Sequence, residues 1–455
     1  MQTIFSTMRA AVEAVPNARR VGRVSAVIGL RLTVTGLDRA LGIGTRCTVH
    51  GEAGPVPGEV VGVDAAGAHI LPFGTWDGVG PGTPVEIGGA EEGLRAGPDW
   101  IGRVIDALGR PVDGRGPLPP AGRARPVRAA PPSAFARRPV GARLETGVRT
   151  LDVFAPLCHG QRMGIFAGSG VGKSTLMSML ARRAETDAIV VGLVGERGRE
   201  VQDFIRTALG EEGLARSILV VATGDEAPLL RRQAAWTATA VAEALRDAGM
   251  RVLLMIDSVT RFAQAQREIG LSLGEPPAAR GFPPSVFSEL PQLLERAGPG
   301  SAGQGDITAL YTVLVDGDDM NDPVADAVRG TLDGHLVLSR RIAERGRYPA
   351  VDLERSLSRM LPDCHSDTEN AILGAARAAI ARYTDMEELI RLGAYRRGTD
   401  AEVDRAILFA EAAEKFLAQG RGEATPAADA FAGLARLLDD AGWPRGLSAQ
   451  PSQPA

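Results

Sequence analysis

The spacing of apolar and polar positions changes along the chain, and each change predicts a different structure. Residues 1–20 place apolar side chains at helical spacing, which predicts a short amphipathic helix. Residues 21–92 contain short β-type runs between glycine-rich turns, which predict a small β-barrel. Residues 93–144 include a passage rich in proline and arginine, and we expect an extended linker there because proline cannot donate to a strand ladder.

The region from residue 145 to 365 alternates continuous apolar runs with segments of helix length. Two of the runs, at 189–194 and 252–256, are apolar throughout, which is typical of strands in a parallel sheet that is covered on both faces. Residues 366–440 then follow a helical pattern, and 441–455 read as a frayed tail. The predicted fold class is therefore α/β, with an N-terminal small β-barrel and a C-terminal helical domain.

Composition limits the kinds of partner. The chain has 455 residues, 44% hydrophobic and 23% charged, which is typical of a globular protein of several domains. Its net charge of -4 argues against nucleic acid as a partner, since nucleic-acid binding normally requires a basic surface. The cysteines Cys47, Cys158 and Cys364 are widely separated and predict neither a disulfide framework nor a zinc cluster, so we expect a cytoplasmic protein.

The helix predicted at residues 1–20 has two interpretations: it packs on its own domain, or it docks on a partner or a membrane surface. The sequence has no apolar stretch of about 18 residues and no export signal at its N-terminus. Any membrane contact is therefore expected to be peripheral.

A glycine-rich run at 167–175, AGSGVGKST, lies between a predicted strand at 163–166 and a Leu- and Met-rich helical stretch. This is the context that a phosphate-binding loop requires. Backbone N–H groups of such a loop point at phosphate oxygens, Lys173 adds positive charge near the β- and γ-phosphates, and Ser174 can ligate Mg²⁺. The predicted nucleotide-binding residues of the loop are Gly168, Ser169, Gly170, Val171, Gly172, Lys173, Ser174 and Thr175.

Two acidic residues follow buried-type strands and should lie at the same sheet edge as the loop. Asp257 ends the run at 252–256 and is the expected acid on the Mg²⁺ side of the site. Glu196 is the first acid after the run at 189–194, which nominates it to orient the attacking water. The alternative for Glu196 is an ion pair with a neighbouring arginine on a solvated loop.

Further motifs between roughly residues 20 and 420 support a family resemblance. They are VGERGREVQDFI, LLMIDSVTRFAQAQREI, GEPPAARGFPPSVF, ERAG, ITALYTVLVDGDDMNDPVADAVRGTLDGH and RYPAVDLERSLSR. Together with the phosphate loop they resemble the protein-export ATPases that are related to the catalytic subunits of rotary ATP synthases. The resemblance implies a RecA-like P-loop core that hydrolyses ATP with Mg²⁺, and it favours the flagellar export type.

The resemblance also implies roles for individual residues. Glu196 matches the catalytic water-activating glutamate, and Arg197 and Arg261 match arginines around the nucleotide phosphates. Tyr348 resembles the aromatic residue that stacks on adenine, and Phe416 resembles a second wall of that pocket, although Gly422 stands where ATP synthase catalytic subunits have a further aromatic. A plain core position is the alternative for both aromatic residues.

Arg359 resembles the arginine finger that a neighbouring subunit supplies to the γ-phosphate. A finger given in trans is a head-to-tail contact, and such contacts repeated around a closed rotation form a ring. The resemblance thus implies a homohexamer at the inner face of the cell membrane. It also implies a stator-like regulator on the N-terminal helix, and export-gate proteins, chaperones and secreted substrates as partners.

Four other interpretations remain open at this point. The ATPase of a virulence secretion system carries nearly the same motifs. A ring helicase or transcription terminator would need a basic, aromatic-rich N-terminal face, but residues 21–92 offer only Phe73 and Trp76. A rotary ATP synthase catalytic subunit lacks support because no acidic helix-turn is evident near 385–400. A non-catalytic ring subunit is disfavoured by Glu196, where such relatives carry glutamine.

Overall fold

The computed structural model describes residues 20–37, 41–88, 93–315 and 319–444. The helix predicted at 1–20 lies outside the described residues except for its last position, and so does most of the predicted tail. The described residues form two compact units. One contains those up to Gly93 with Glu226–Leu230 and Ala265–Ser285, and the other contains Leu94–Asp225, Arg231–Gln264 and those from Val286 onward.

The N-terminal strands form a closed barrel in the order β1-β2-β5-β4-β3-β6. Alternate side chains, among them Val34, Val49, Val60 and Ile70, point into its core, as expected for strands with one solvated face. Closure pairs both edges of the sheet, and the predicted small β-barrel is confirmed. The strands are β1 (Val21–Ile28), β2 (Arg31–Thr35), β3 (Arg46–Gly51), β4 (Gly54–Asp64), β5 (Gly67–Pro72) and β6 (Pro84–Ile87).

The second unit is built on a sheet of nine strands in the order β15-β14-β8-β13-β11-β9-β10-β7, with β12 paired to β13. Every residue of β9 is buried, which explains why its sequence is apolar up to Glu196 at its end. The strands are β7 (Val104–Asp106), β8 (Arg162–Ala167), β9 (Ala188–Glu196), β10 (Ser217–Thr223), β11 (Arg251–Asp257), β12 (Gly298–Pro299), β13 (Asp306–Leu314), β14 (Gly334–Leu338) and β15 (Val351–Ser358).

The predicted α/β core is confirmed, with two additions to the sequence-based description. Strand β7 comes from the stretch assigned to the linker and forms a short edge strand that pairs parallel with β10. Its three residues are too few to give a readable pattern. Strand β15 pairs antiparallel with β14, which makes the sheet mixed.

Helices cover the sheet and build the C-terminal domain. In chain order they are α1 (Arg149–Phe154), α2 (Lys173–Arg183), α3 (Gly198–Asp203), α4 (Gly210–Ala215), α5 (Pro228–Asp247), α6 (Val259–Ser272), α7 (Pro284–Leu294), α8 (Pro323–Thr331), α9 (Arg340–Glu344), α10 (Asp367–Arg391), α11 (Ala401–Leu417) and α12 (Ala427–Asp440). A π-helical segment, Phe204–Leu209, joins α3 to α4.

The C-terminal helical domain begins at a capping box, in which Ser366 and Glu369 satisfy each other's backbone N–H groups at the start of α10. Phe409, Phe431 and Leu434 lie in its core, together with residues of α1. Among the described helices, none combines the length and the apolar character needed to cross a bilayer.

Candidate active site

The turn from β8 into α2 has the geometry expected of a phosphate-binding loop. Gly170 and Gly172 adopt φ angles of 78° and 96°, in the left-handed region that favours glycine. The loop delivers Lys173 as the first residue of α2, so the helix N-terminus faces the same space as the loop. Val171 differs from the other loop residues because its side chain is buried in the core, which leaves its backbone as its contribution to a ligand.

Lys173 lies between the two predicted carboxylates. Its Nζ is 2.5 Å from Asp257 Oδ1 and 3.4 Å from Glu196 Oε1. Asp257 and Glu196 end β11 and β9, Lys173 follows the loop after β8, and β13 separates β8 from β11 in the sheet. The Lys173 side chain therefore reaches across the end of β13 to bring together charges that the sequence keeps far apart.

Burial and the neighbouring charges both shift the pKa values of Glu196 and Lys173. Burial raises the pKa of Glu196 to about 7, with Lys173 opposing the shift and Asp257 adding to it. For Lys173, burial alone lowers the pKa, but the nearby Asp257 and Glu196 outweigh it and raise the value above its usual range. Lys173 therefore keeps its charge, whereas Glu196 is poised to exchange a proton near neutral pH.

These residues line a cavity of about 780 Å³, within the size range of small-molecule sites. The phosphate loop forms one wall, and the ends of β9 and β11 with the first turn of α3 form another. Lining residues with polar or charged side chains are Ser169, Lys173, Ser174, Thr175, Glu196, Arg197, Glu200, Asp203, Thr207, Asp257, Arg261 and Arg421. The cavity thus contains every residue predicted to surround the phosphates except Val171 and Arg359, which was expected to act on a neighbouring subunit.

Arg197 and Arg261 both line this cavity but differ in exposure and in their contacts. The Arg197 side chain is 86% exposed and lies 3.6 Å from Glu200. Arg261 is half-buried, and its side chain packs against Gly195, where a Cβ would come within 2.9 Å of it. Gly195 also has a φ of 68°, so this glycine both makes the turn into Glu196 and admits Arg261.

Tyr348 and Phe416 occupy different surroundings. The Tyr348 ring lies on the phosphate loop, 3.1 Å from where a Cβ on Gly172 would stand, and 38% of the residue is exposed. Phe416 packs on Gly433, with the Arg149 guanidinium 5.0 Å from its ring centroid. Tyr348 is therefore placed to meet a ligand of the loop, whereas the contacts of Phe416 fit its alternative as a core residue.

Arg359 does not line the cavity of its own chain. Strand β14 runs parallel to β8, so Leu338 lies beside Ala167 at the phosphate-loop edge. Strand β15 begins beside Leu338 with Val351 and runs antiparallel to β14, away from the phosphate loop. Its last residue, Ser358, pairs with Gly334, which lies four residues or about 13 Å from Leu338 along β14, and Arg359 follows it and is exposed at that opposite end of the sheet.

Two residues of the site were missed by the sequence analysis. Thr312, on β13 between the strands that carry Lys173 and Asp257, donates to Asp257 Oδ1 at 2.7 Å. Only its position within a predicted strand could have suggested it. Arg421 comes from the segment after α11 and lines the cavity near Thr175, a position that the sequence pattern did not single out.

The residues present fit a magnesium ion by their chemistry. The Ser174 hydroxyl and the Asp257 carboxylate line the same cavity, and Mg²⁺ prefers oxygen ligands with few protein groups among them. The hydrogen bond from Thr312 fixes the Asp257 carboxylate in place, as outer-shell partners of metal ligands do.

The raised pKa of Glu196 predicts how the Glu196→Gln variant responds to pH. The folded state holds the Glu196 proton more tightly than the unfolded chain does. The free energy of unfolding therefore falls by about 1–3 kcal/mol as pH rises from 4.5 to about 7. Glutamine cannot ionise. We therefore expect the nucleotide-free variant to be more stable than the wild type at pH 8, with a difference that shrinks towards pH 5.

Chemical denaturation at the two pH values measures this difference. Glu354→Gln, at an exposed position of β15, is the matched control and should show no such trend. An equal stability difference for Glu196→Gln at both pH values would contradict the assigned pKa.

Comparison with known proteins identifies the family that this chain resembles. The model of the ATP synthase alpha/beta family nucleotide-binding domain matches residues 147–358, and that of the type III secretion EscN ATPase C-terminal domain matches 366–436. A flagellum-specific ATP synthase of Caulobacter vibrioides is 52% identical over 94% of this chain and 98% of the relative. A type 3 secretion system ATPase of Xanthomonas euvesicatoria is 46% identical over 93% and 95%.

A solved structure agrees with the sequence relatives. The assembled ATPase EscN of the enteropathogenic E. coli type III secretion system has a TM-score of 0.86 to this chain and is 39% identical, covering 92% of this chain and all of that one. The resemblance inferred from the motifs is confirmed, and so is the ATPase class. This chain belongs to the family of flagellum-specific ATP synthases and type III secretion ATPases.

Proposed function

We propose that this ATPase hydrolyses ATP with Mg²⁺ in the cavity around Lys173 and uses the reaction to power or assist export of flagellar proteins. The observation that carries the proposal is the meeting of Lys173, Glu196 and Asp257 at the end of a phosphate-binding loop. A positive charge, a proton acceptor and an oxygen ligand are the groups that phosphoryl transfer to water requires.

Each residue has a defined task in this scheme. Lys173 and the loop N–H groups bind the β- and γ-phosphates and stabilise charge that develops on the transferred group. Glu196 orients the attacking water and accepts its proton, a task suited to a carboxyl with a pKa of about 7. Ser174 and Asp257 hold Mg²⁺, which when bound neutralises phosphate charge. Arg197 and Arg261 bind phosphate oxygens from the opposite wall.

A neighbouring subunit completes the site in this proposal. Arg359 stands at the far edge of the sheet and is exposed, so it is available to the phosphate loop of another copy but not to its own. Repetition of this contact gives a closed ring, which we propose is hexameric. The related EscN is known as an assembled ATPase, which supports assembly of this chain too.

The flagellar assignment is supported by the 52% identity to the Caulobacter vibrioides protein. We propose that the ring acts in the cytoplasm at the inner face of the cell membrane, with export-gate proteins, chaperones and secreted substrates as partners and a stator-like regulator on residues 1–20. The Xanthomonas euvesicatoria relative, at 46% identity, keeps the ATPase of a virulence secretion system as the second candidate.

Glu196→Gln tests the hydrolytic assignment. Glutamine keeps the size of the side chain but cannot accept the proton of the water, so we expect turnover to fall at least about 100-fold. ATP affinity should change less than threefold, because the loop and Lys173 are unaltered. Phosphate release and binding of a fluorescent ATP analogue measure the two effects. Hydrolysis at the wild-type rate would refute the role of Glu196.

Mixed rings test the shared site. Lys173→Ala subunits have defective loops but intact fingers, whereas Arg359→Ala subunits have intact loops but no finger. Each variant alone should be inactive, and their mixture should regain part of the wild-type ATPase rate because some interfaces then join an intact loop to an intact finger. No recovery, under conditions where mixed rings are seen by mass spectrometry, would rule out the finger in trans.

Affinity capture from the native cell separates the two export systems. The tagged full chain should copurify with proteins of the flagellar export apparatus, because each system has its own gate and chaperones. The matched control is the Arg359→Ala variant, which tests whether capture depends on assembly. Recovery of injection-system components alone would replace the flagellar assignment with the virulence one.

A further inference from the structure

The segment of residues 418–425, which we call the strap, joins α11 to α12 and is fixed by one buried side chain. Gln419 is 4% exposed, and its backbone N–H donates to the Tyr348 carbonyl at 2.7 Å. Its side-chain amide donates to the Gly147 carbonyl at 2.8 Å and accepts from the Arg149 N–H at 2.9 Å. Both ends of the amide are satisfied, so the orientation of Gln419 is well determined.

The rest of the strap is held by further contacts with the ATPase core. The Thr425 N–H donates to the Gly147 carbonyl at 3.1 Å, and Arg149 Nε donates to the Thr425 hydroxyl at 3.0 Å. Arg183, at the end of α2, donates to the Gly422 carbonyl at 2.7 Å. The strap is thus anchored on both sides of residue 421, and it connects to the phosphate-loop helix and to Tyr348.

Arg421 extends from this anchored segment into the nucleotide cavity. One of its guanidinium nitrogens lies 3.4 Å from Thr175 Oγ1, in the first turn of α2. Within the described ranges, no carboxylate forms an ion pair with Arg421, whereas in the same cavity Lys173 pairs with two carboxylates and Arg197 with one. A cation without a neutralising partner beside a helix N-terminus adds to the attraction that this terminus exerts on phosphate.

We infer that Arg421 is a nucleotide ligand whose guanidinium binds the α-phosphate. Lys173 takes the β- and γ-phosphates, so Thr175, two residues further along α2, lies towards the nucleoside end of the bound molecule. Tyr348 lies on Gly172 at that end as well, and the same strap holds it through Gln419. The inference rests on the proposed role of this cavity as the ATP site.

The composition of the strap agrees with this role. Gly422 adds no aromatic ring to the strap, and the neighbouring Arg421 is a cation. The strap therefore offers charge to a phosphate and not a ring to the base. An arginine is suited to that task because its planar fork donates to two phosphate oxygens at once.

Equilibrium binding of fluorescent ADP and ATP analogues to the full chain tests the inference directly. Arg421→Ala should raise both Kd values by the same factor, about tenfold for loss of a charged hydrogen bond at a partly solvated site. Arg421→Lys should recover part of the loss, because the charge is kept but the second hydrogen bond of the guanidinium is not. Arg436→Ala, on the exposed side of α12, is the matched control and should bind both analogues as the wild type does.

Three results would overturn the assignment. Unchanged Kd values in Arg421→Ala would remove Arg421 from the site, and a loss for the ATP analogue alone would move it to the γ-phosphate. Failure of Arg421→Lys to recover affinity would indicate stacking on the base instead. The proposed function is tested separately: a wild-type chain that binds both analogues but releases no phosphate would refute hydrolysis and leave the Arg421 result standing.

Discussion

A buried ammonium group that lies between two carboxylates determines which further charges the site needs to bind a triphosphate. Lys173 faces Asp257 and Glu196, and with the pKa of Glu196 near 7 the three groups approach electrical balance when that carboxyl is protonated. A triphosphate brings several further negative charges into the same space, so its binding requires additional cations. Arg197 and Arg261 line the same cavity, and in the proposed ring Arg359 of another subunit would add a further cation.

Sheet topology keeps Arg359 away from the cavity of its own chain. The order β8-β13-β11-β9 brings the phosphate loop and both carboxylates to one edge, because parallel strands present their carboxyl ends together. Strand β15 is antiparallel and returns the chain to the opposite edge before Arg359. Strand β15 thus carries Arg359, the proposed finger, away from the phosphate loop of its own chain.

The features predicted from sequence were those with a local signal. Buried strands, the glycine-rich loop and the acids at strand ends follow from residues adjacent in the chain, and all appear in the structure. Thr312 and Arg421 lack such a signal, because only strand order brings Thr312 beside Asp257 and only the fold of the strap brings Arg421 beside Thr175. The limits of the domains and the roles of the site residues stay predictions.

The surroundings of Phe416 likewise depend on the tertiary fold and could not be read from a local sequence pattern. The resemblance implied an adenine wall at this residue, which stays a prediction; in the fold its ring packs on Gly433 of α12 and faces the Arg149 guanidinium. The strap that begins next to it carries Gln419, which ties the C-terminal helices to Tyr348. In the proposed site the nucleotide meets both Tyr348 of the ATPase core and Arg421 of the strap, so its binding is linked to the arrangement of these helices on the core. The helical domain then contributes to the proposed nucleotide site as well as supporting it.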